Sequence, residues 1–253
     1  VVQLGCEDPR LAANLYESGN FLIQALDPDP ETVEKARGYI KSKGMYGPVS
    51  VDTLQSGHLP YIENSVNLLV ADRLGDITKE EVLRVLCPEG VAYIKQEKQW
   101  LRVVKPRPDN IDDWSHYLHD ASGNPVANDE KIGPPRHLQW VGSPKWSRHH
   151  DHMSSLSALV SSGGKIFYIM DEGSPVSIEL PSKWSLIARD AFNGKILWKQ
   201  PIEEWQTQLW PLKSGPSNLP RRLVSQNDTV YATLGLHAPV SAVDPESGEI
   251  LYE

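Results

Sequence analysis

The stretch Leu186–Lys199, with the sequence LIARDAFNGKILWK, decides the fold of the second half of the chain. It returns 54 residues later as VSAVDPESGEILYE, from Val240 to Glu253. In each copy two runs of alternating apolar residues flank a short turn, Ala-Phe-Asn-Gly or Pro-Glu-Ser-Gly, of the kind that joins the strands of a β-hairpin. Short strands that repeat with a period of about 50 residues predict the blades of a β-propeller.

Each copy follows an earlier hairpin, Ser157–Gly173 in the first repeat and Arg221–Leu236 in the second. Tight turns are expected at Gly163-Gly164 and at Asn227-Asp228. The earlier hairpins are 64 residues apart and the later ones 54, so the first repeat has about ten more residues, which we place in a loop between Glu172 and Trp184. Residues 154–253 are therefore predicted to form two four-stranded blades. Closing a propeller takes about four to eight blades, so the expected partner is further blades or another protein chain.

The composition limits the class of protein. The chain has 253 residues, of which 40% are hydrophobic and 23% charged, and its net charge of −8 disfavours a nucleic-acid partner. No apolar run approaches the roughly 20 residues of a transmembrane helix. The chain opens on VVQL without Met or a signal sequence and closes within a repeat, which we interpret as a piece of a longer protein. The two cysteines, Cys6 and Cys87, are expected to be buried and inert.

Residues 1–105 alternate strand-length apolar runs with helical patterns. The predicted strands contain VVQL, FLIQAL, VSV, VNLLVA and VAYI. The predicted helices begin after Asp8, after Asp29 and after Thr78, which forms a capping box with Glu81. The first helix is expected to end before Gly19. This alternation predicts an α/β, doubly wound parallel sheet with right-handed crossovers, in which a ligand binds at the carboxyl ends of the strands.

The segments LGC, ALDPDP, LPYIENSVNLLV and EEVLRVLCPEG occur in this order along residues 1–94. Their sequence and spacing resemble class I S-adenosylmethionine-dependent methyltransferases, a family with a Rossmann-like fold. The resemblance implies S-adenosylmethionine as the cofactor, with Gly5 beside its amino-acid part and Asp27 at its ribose. Asp52 is a further predicted cofactor-binding residue.

The first turn departs from the pattern of that family. Glu7 and Pro9 stand where further glycines are usual, Gln3 stands where an acid often precedes the turn, and Asn67 replaces a common Asp. A side chain at position 7 is expected to occupy space that the cofactor needs. We therefore expect a degenerate cofactor site, and no catalytic residue is assigned.

Residues 106–153, here called the strap, are rich in His, Trp and turn residues. A His-x-x-His pair and a cluster around Asp151 have the residue types of a divalent metal site. Three tryptophans instead favour a segment anchored on a larger body, and His with Trp can also line a ligand funnel. We interpret the segment as a linking strap and assign no metal. The residues concerned are His116, His119, His137, His149, His150, His152, Trp114, Trp140 and Trp146.

The pattern A-x-D-x-x-x-G-x-x-x-W, from Ala188 to Trp198, resembles the repeats of pyrroloquinoline-quinone (PQQ)-type propellers. Tyr252 replaces the second Trp. Together with DDWSHYLHDASGN and GPPRHLQW, the chain looks like large propeller proteins of planctomycete-type bacteria, often with a methyltransferase-like region upstream. The resemblance implies that the Trp packs against the neighbouring blade near its turn Gly. Asp190 and Asp244 are interpreted as turn residues, which favours a propeller without a bound quinone.

Three functions remain open, so the sequence leaves undecided whether the chain is an enzyme. The favoured one is a propeller-based binding or scaffold protein with a degenerate methyltransferase-like domain. The alternatives are an active S-adenosylmethionine-dependent methyltransferase whose propeller recruits the substrate, and a PQQ-dependent oxidoreductase. Each of these three functions is compatible with a small-molecule ligand. A cytoplasmic location agrees with methyl transfer, whereas a periplasmic one agrees with the propeller and is slightly favoured.

Overall fold

A computed structural model describes residues 1–16, 21–130, 133–134, 138–148, 155–177, 179–205 and 218–253. These residues form two compact units, Val1–Pro108 and Asp109–Glu253. The predicted helix end at Gly19, as well as His137 and the cluster at 149–152, lie outside the described residues. Within the described ranges, no helix is both long and apolar enough to cross a membrane.

The described residues of the N-terminal unit form a six-stranded sheet with three helices. Its elements are β1 (Val2–Leu4), α1 (Pro9–Leu15), β2 (Ile23–Asp27), α2 (Pro30–Ser42), β3 (Val49–Thr53), β4 (Val66–Ala71), α3 (Lys79–Val85), β5 (Leu86–Gln96) and β6 (Gln99–Val104). The strand order is β3-β2-β1-β4-β5-β6, and the first five strands are parallel. The Rossmann-like sheet is therefore confirmed. The sheet is mixed, because β6, which was not predicted, pairs antiparallel with β5.

The helices begin at the predicted capping residues. The Asp8 carboxylate accepts a hydrogen bond from the Arg10 amide at 3.1 Å, and Asp29 accepts from the amides of Glu31 and Thr32. Both are followed by Pro in the first helical turn, where its missing N–H costs nothing. These short local signals explain why the starts of α1 and α2 were predictable.

At the start of α3 only one of the two hydrogen bonds of the predicted capping box is formed. The Thr78 hydroxyl accepts from the Glu81 amide at 3.2 Å. The Glu81 carboxylate, however, accepts from the Leu59 amide and from Arg84 Nε, both at 2.7 Å. The hydrogen bonds from Arg84, together with that from Leu59, lower the pKa of Glu81 to about 2. Glu81 thus anchors the chain before β4 to α3.

Both faces of the parallel sheet bury apolar side chains. On one face α1 and α2 pack their small and branched residues against β2 and β3, and on the other α3 packs against β1, β4 and β5. Cys6 and Cys87 are buried, as predicted, and neither forms a disulfide. Burial raises the pKa of the Cys6 thiol to about 12, with the Asp27 carboxylate adding to the effect.

The C-terminal unit contains two four-stranded antiparallel sheets. The first consists of β7 (Leu156–Ser162), β8 (Lys165–Asp171), β9 (Trp184–Asp190) and β10 (Ile196–Ile202). The second consists of β11 (Leu223–Gln226), β12 (Thr229–Thr233), β13 (Val240–Val243) and β14 (Ile250–Tyr252). Within each sheet, consecutive strands are neighbours. These are the two predicted four-stranded units; neither sheet is closed, and a propeller remains a prediction.

The predicted turns have the required backbone. Gly163, Gly164, Asn227 and Asp228 all have positive φ, as the two central residues of such hairpin turns need. The longer connection of the first sheet, 172–183, contrasts with 234–239 in the second, in agreement with the predicted loop.

A tryptophan joins the two sheets. Trp198 on β10 lies against Gly248, and its Nε1–H donates to the Pro245 carbonyl at 3.0 Å. A Cβ at Gly248 would lie 2.6 Å from the Trp198 ring, so only glycine fits under it. The contact implied by the repeat pattern is therefore present between β10 and the β13–β14 turn.

The same contact occurs once more, with a strap residue. Trp140 lies against Gly194, where a Cβ would be 2.3 Å from its ring, and its Nε1–H donates to the Ala191 carbonyl at 2.8 Å. Trp140 thus has the relation to the first sheet that Trp198 has to the second. Trp146, expected to be an anchor as well, is 72% exposed, and Tyr252 is 59% exposed.

Candidate functional site

The carboxyl ends of β1 to β4 surround a cleft. In the sheet, β1 lies between β2 and β4. The connections from the strands therefore run to opposite sides of β1, and such a switch point leaves a crevice at the carboxyl ends of the strands. The cleft has about 680 Å³, counting the space open to solvent at its mouth. It is lined by Leu4, Gly5, Leu26, Pro28, Leu54–Gly57 and Arg73–Ile77.

Gly5 lies at the switch point and is one of the residues that line the cleft. Its φ of +84° belongs to the region that glycine adopts without strain. Its amide donates to the Leu26 carbonyl at 2.9 Å, which fixes the turn after β1 to the end of β2. A Cβ at this position would make only ordinary contact, 3.9 Å from Asp72 Cβ. The glycine is therefore required by the turn rather than by crowding.

Asp27 is buried at the end of β2, beside the cleft but not among the residues that line it, and it bonds to the segments that follow β1, β2 and β3. One carboxylate oxygen accepts from the Cys6 amide at 3.0 Å and the other from the Asp29 amide at 2.9 Å. Its own carbonyl accepts from the Leu54 amide at 2.9 Å. The side chain is fully buried. A carboxylate has about four lone-pair sites, so two of them remain after these bonds.

Asp52 is not brought to the cleft. It lies on β3 with a half-exposed side chain, and its carboxylate accepts from Gln24 Nε2 at 2.7 Å and from Arg37 Nη2 at 3.3 Å. Gly5 and Asp27 are thus neighbours at the end of the sheet, whereas Asp52 is part of a surface hydrogen-bond network. The binding role predicted for each of the three residues stays a prediction.

Glu7 lies outside the cleft. Its side chain is 73% exposed and its carboxylate is 3.2 Å from Arg73 Nη2, on the loop after β4. The expected overlap between residue 7 and a cofactor in the cleft is therefore absent here, because Glu7 is not among the lining residues. Since both charges are exposed, the pair is worth at most about 1 kcal/mol and can open readily.

Gln3 has an unusual environment below the first turn. It is 1% exposed, and its Nε2 donates to the Gly5 carbonyl at 2.7 Å. Its Oε1 is buried and has no hydrogen-bond partner among the described residues. A buried acceptor without a donor is costly, and such groups are often completed by a ligand or a water.

Sequence reasoning missed the polar residues of the loops after β3 and β4. Gln55, Ser56, Arg73 and Asp76 line the cleft. The signal available was their position directly after a strand predicted to be buried, in a stretch with Gly57 and Gly75. That signal locates a loop at the carboxyl edge but does not say which of its side chains faces the cleft.

The His-x-x-His pair of the strap is a structural turn. His119 is buried, has φ of +64°, and its Nε2 is 2.7 Å from Asp112 Oδ2, while its Nδ1 is 3.6 Å from Asp120. Hydrogen bonds from the Asn128 amide and from His119 lower the pKa of Asp112 to about 2. Within the described part of the chain, no three His, Cys, Asp or Glu side chains form a metal-binding group.

The aspartates of the repeat are also structural. Asp190 Oδ1 accepts from the amides of Phe192 and Asn193, at 2.8 and 3.0 Å. Asp244 Oδ1 accepts from the amides of Glu246 and Ser247, at 2.9 and 2.7 Å. Each carboxylate closes its own turn, as predicted.

Comparison with known proteins gives partial likenesses. No family model and no curated protein matches the chain. Among solved structures it is similar to the [4+2]-cyclase SpnF, with 21% identity over 37% of this chain and 36% of that one, at a TM-score of 0.34. It is also similar to the YcgJ protein from Bacillus subtilis, with 19% identity over 37% and 42%, at a TM-score of 0.32.

A third likeness is to geranyl diphosphate C-methyltransferase from Streptomyces coelicolor A3(2), in complex with Mg²⁺, geranyl diphosphate and S-adenosyl-L-homocysteine. The identity is 10% over 37% of this chain and 36% of that chain, at a TM-score of 0.34. The chain thus spans less than half the length of these solved structures.

Proposed function

We propose that the N-terminal unit binds S-adenosylmethionine in the cleft at the ends of β1 to β4 and serves methyl transfer. The C-terminal unit is proposed to be part of a propeller that recruits the substrate. The observation that carries the proposal is the cleft itself, which opens at the switch point between β1 and β4 and has Gly5 in its lining.

The residues present fit a nucleoside-type cofactor. Leu26, Leu54 and Ile77 offer apolar walls for a flat ring. Gln3 Oε1 has no donor among the described residues and lies next to the first turn; it is buried and not part of the cleft lining, so an ammonium group would reach it only where the turn moves aside. Asp27 is fully buried behind the cleft lining, so its two remaining lone-pair sites would reach ribose hydroxyls only where the cofactor uncovers them. S-Adenosylmethionine supplies an activated methyl group, and this chain would bind and orient it.

Calorimetric titration with S-adenosylmethionine tests the proposal. We expect micromolar binding to the wild-type chain and its loss in Ser56→Trp, which fills the cleft from an exposed loop position and leaves the core intact. Asp27→Asn is expected to bind at least about tenfold more weakly, because a ribose hydrogen bond to a charged acceptor is worth about 1.5–3 kcal/mol. Asp228→Asn, at an exposed turn of the C-terminal unit, is the matched control and should bind like wild type. A wild-type chain without detectable binding contradicts the proposal.

A binding or scaffold protein with a degenerate first domain is the second candidate. The sequence of the first turn favours this second candidate, because Glu7 and Pro9 stand where the methyltransferase pattern has further glycines. The Glu7→Gly variant separates the two. If neither wild type nor Glu7→Gly binds the cofactor, the scaffold function is preferred. If wild type binds, methyl transfer is preferred, and a cytoplasmic location goes with it.

A further inference from the structure

A second concave site lies in the C-terminal unit, where the turn after Ser115 meets the start of β11. Its walls include His116, Tyr117, Leu118, Asp120, Arg221 and Val224, and it has about 580 Å³, counting the open mouth. We propose that this site binds a small hydroxy acid. The Arg221 guanidinium would hold the carboxylate, and the His116 imidazole would accept a hydrogen bond from the hydroxyl group.

The turn is fixed relative to both sheets, so the walls of the site are preformed. Trp114 pairs with the edge strand β7: its carbonyl accepts from the Ser161 amide at 2.8 Å, and its amide donates to Ser161 Oγ at 3.1 Å. The Ser115 carbonyl accepts from the Ser225 amide on β11 at 2.9 Å. Edge strands expose such groups, and the strap satisfies them here. The turn therefore does not have to be ordered by a ligand, which favours binding.

His116 is held in one orientation. Its Nδ1 is 2.8 Å from Ser115 Oγ, and that oxygen is 3.3 Å from the His119 carbonyl, which can only accept. Both contacts are satisfied when Nδ1–H donates to the hydroxyl and the hydroxyl donates to the carbonyl. The neutral ring then carries its lone pair on Nε2. Among the described residues Nε2 has no partner, so it is available to a hydroxyl donor.

Arg221 supplies the positive charge. Its guanidinium carbon lies 5.5 Å from the centre of the Tyr117 ring, and it has no carboxylate partner among the described residues. Arginine favours carboxylates because its parallel N–H groups match two oxygens. The acid in the wall, Asp120, is engaged in its own turn, where Oδ1 accepts from the Ser122 amide at 2.8 Å and from its hydroxyl at 2.6 Å. Leu118 and Val224 add apolar surface for the ligand's carbon atoms.

The experiment compares glycolate with acetate, which differ by one hydroxyl group. Each is titrated into the full chain while the amide NMR signals of Ser122 and Gly123, both in the wall of the site, are followed. We expect saturable shifts with dissociation constants of about 1–10 mM, as for ligands of a few atoms. Glycolate should bind about 3–10-fold more tightly, as one neutral hydrogen bond predicts.

Three variants separate the roles of the two side chains. Arg221→Gln should weaken both ligands at least about tenfold, since it removes a charge-assisted pair. Arg222→Gln, whose guanidinium donates to the Leu236 carbonyl instead, is the matched control and should leave both unchanged. His116→Ala should abolish the preference for glycolate and keep acetate binding. The proposal is overturned if no saturable shift occurs, if Arg221→Gln binds like wild type, or if glycolate and acetate bind equally.

Discussion

Replacing Trp198 by alanine should uncouple the two sheets of the C-terminal unit. Trp198 is 9% exposed and packs on Gly248 of the second sheet, and its indole N–H donates to the Pro245 carbonyl. Truncation of a buried Trp to Ala costs about 3–5 kcal/mol, including the cavity that remains. Loss of the hydrogen bond from the indole N–H accounts for about 1 kcal/mol of such a decrease. We take about 4 kcal/mol as the expected decrease in the free energy of unfolding.

Amide hydrogen exchange measures this loss locally, which matters because two compact units need not unfold together. A decrease of about 4 kcal/mol corresponds to exchange roughly 10³-fold faster, followed in peptides from β8 and β12. Tyr252→Ala is the matched control, since Tyr252 has the same place in the repeat but is 59% exposed. Its effect should stay within about 0.5 kcal/mol. Equal effects of the two substitutions would refute the role assigned to Trp198.

Three further predictions concern glycine, charge and thiol positions. Gly194→Ala should lower the free energy of unfolding in urea by about 1–3 kcal/mol more than Gly163→Ala. Both glycines have positive φ, but of the two only Gly194 lies under an indole ring. Glu81→Gln should lower the free energy of unfolding near pH 7 by on the order of 3 kcal/mol. Because the pKa of Glu81 in the folded state is depressed to about 2, this difference between wild type and variant should be present above about pH 4.5 and vanish towards pH 2. Unfolding measured as a function of pH checks it. Native Cys6 and Cys87 should not react with a thiol reagent at pH 8, and both should react in denaturant.

The local architecture could be predicted because its signals are local. The Asp190 turn is closed by amides two and three residues later, and the helix caps Asp8 and Asp29 bond to the next turn of chain. Such contacts depend only on residue type and spacing, so each copy of the repeat predicts its own turn. The same logic correctly identified Asp190 and Asp244 as turn residues.

Other features depend on contacts between distant residues. Strand β6 is exposed along most of its length, so its sequence lacks the alternation that marks a half-buried strand. Trp140 shares its role with Trp198, but the surrounding strap residues do not follow the repeat pattern, and the equivalence became visible only through Gly194. The Glu7 carboxylate lies beside Arg73, a loop residue 66 positions away, and no local signal indicates this contact.

Photolabelling of the chain with methyl-tritiated S-adenosylmethionine tests the central claim most directly. Ultraviolet irradiation of the complex, followed by peptide mapping, identifies the residues in contact with the cofactor. The account predicts label in peptides that contain Gly5, residues 54–57 or residues 73–77, and loss of the label with excess unlabelled cofactor. Label confined to other peptides, or label that excess cofactor does not displace, would contradict it.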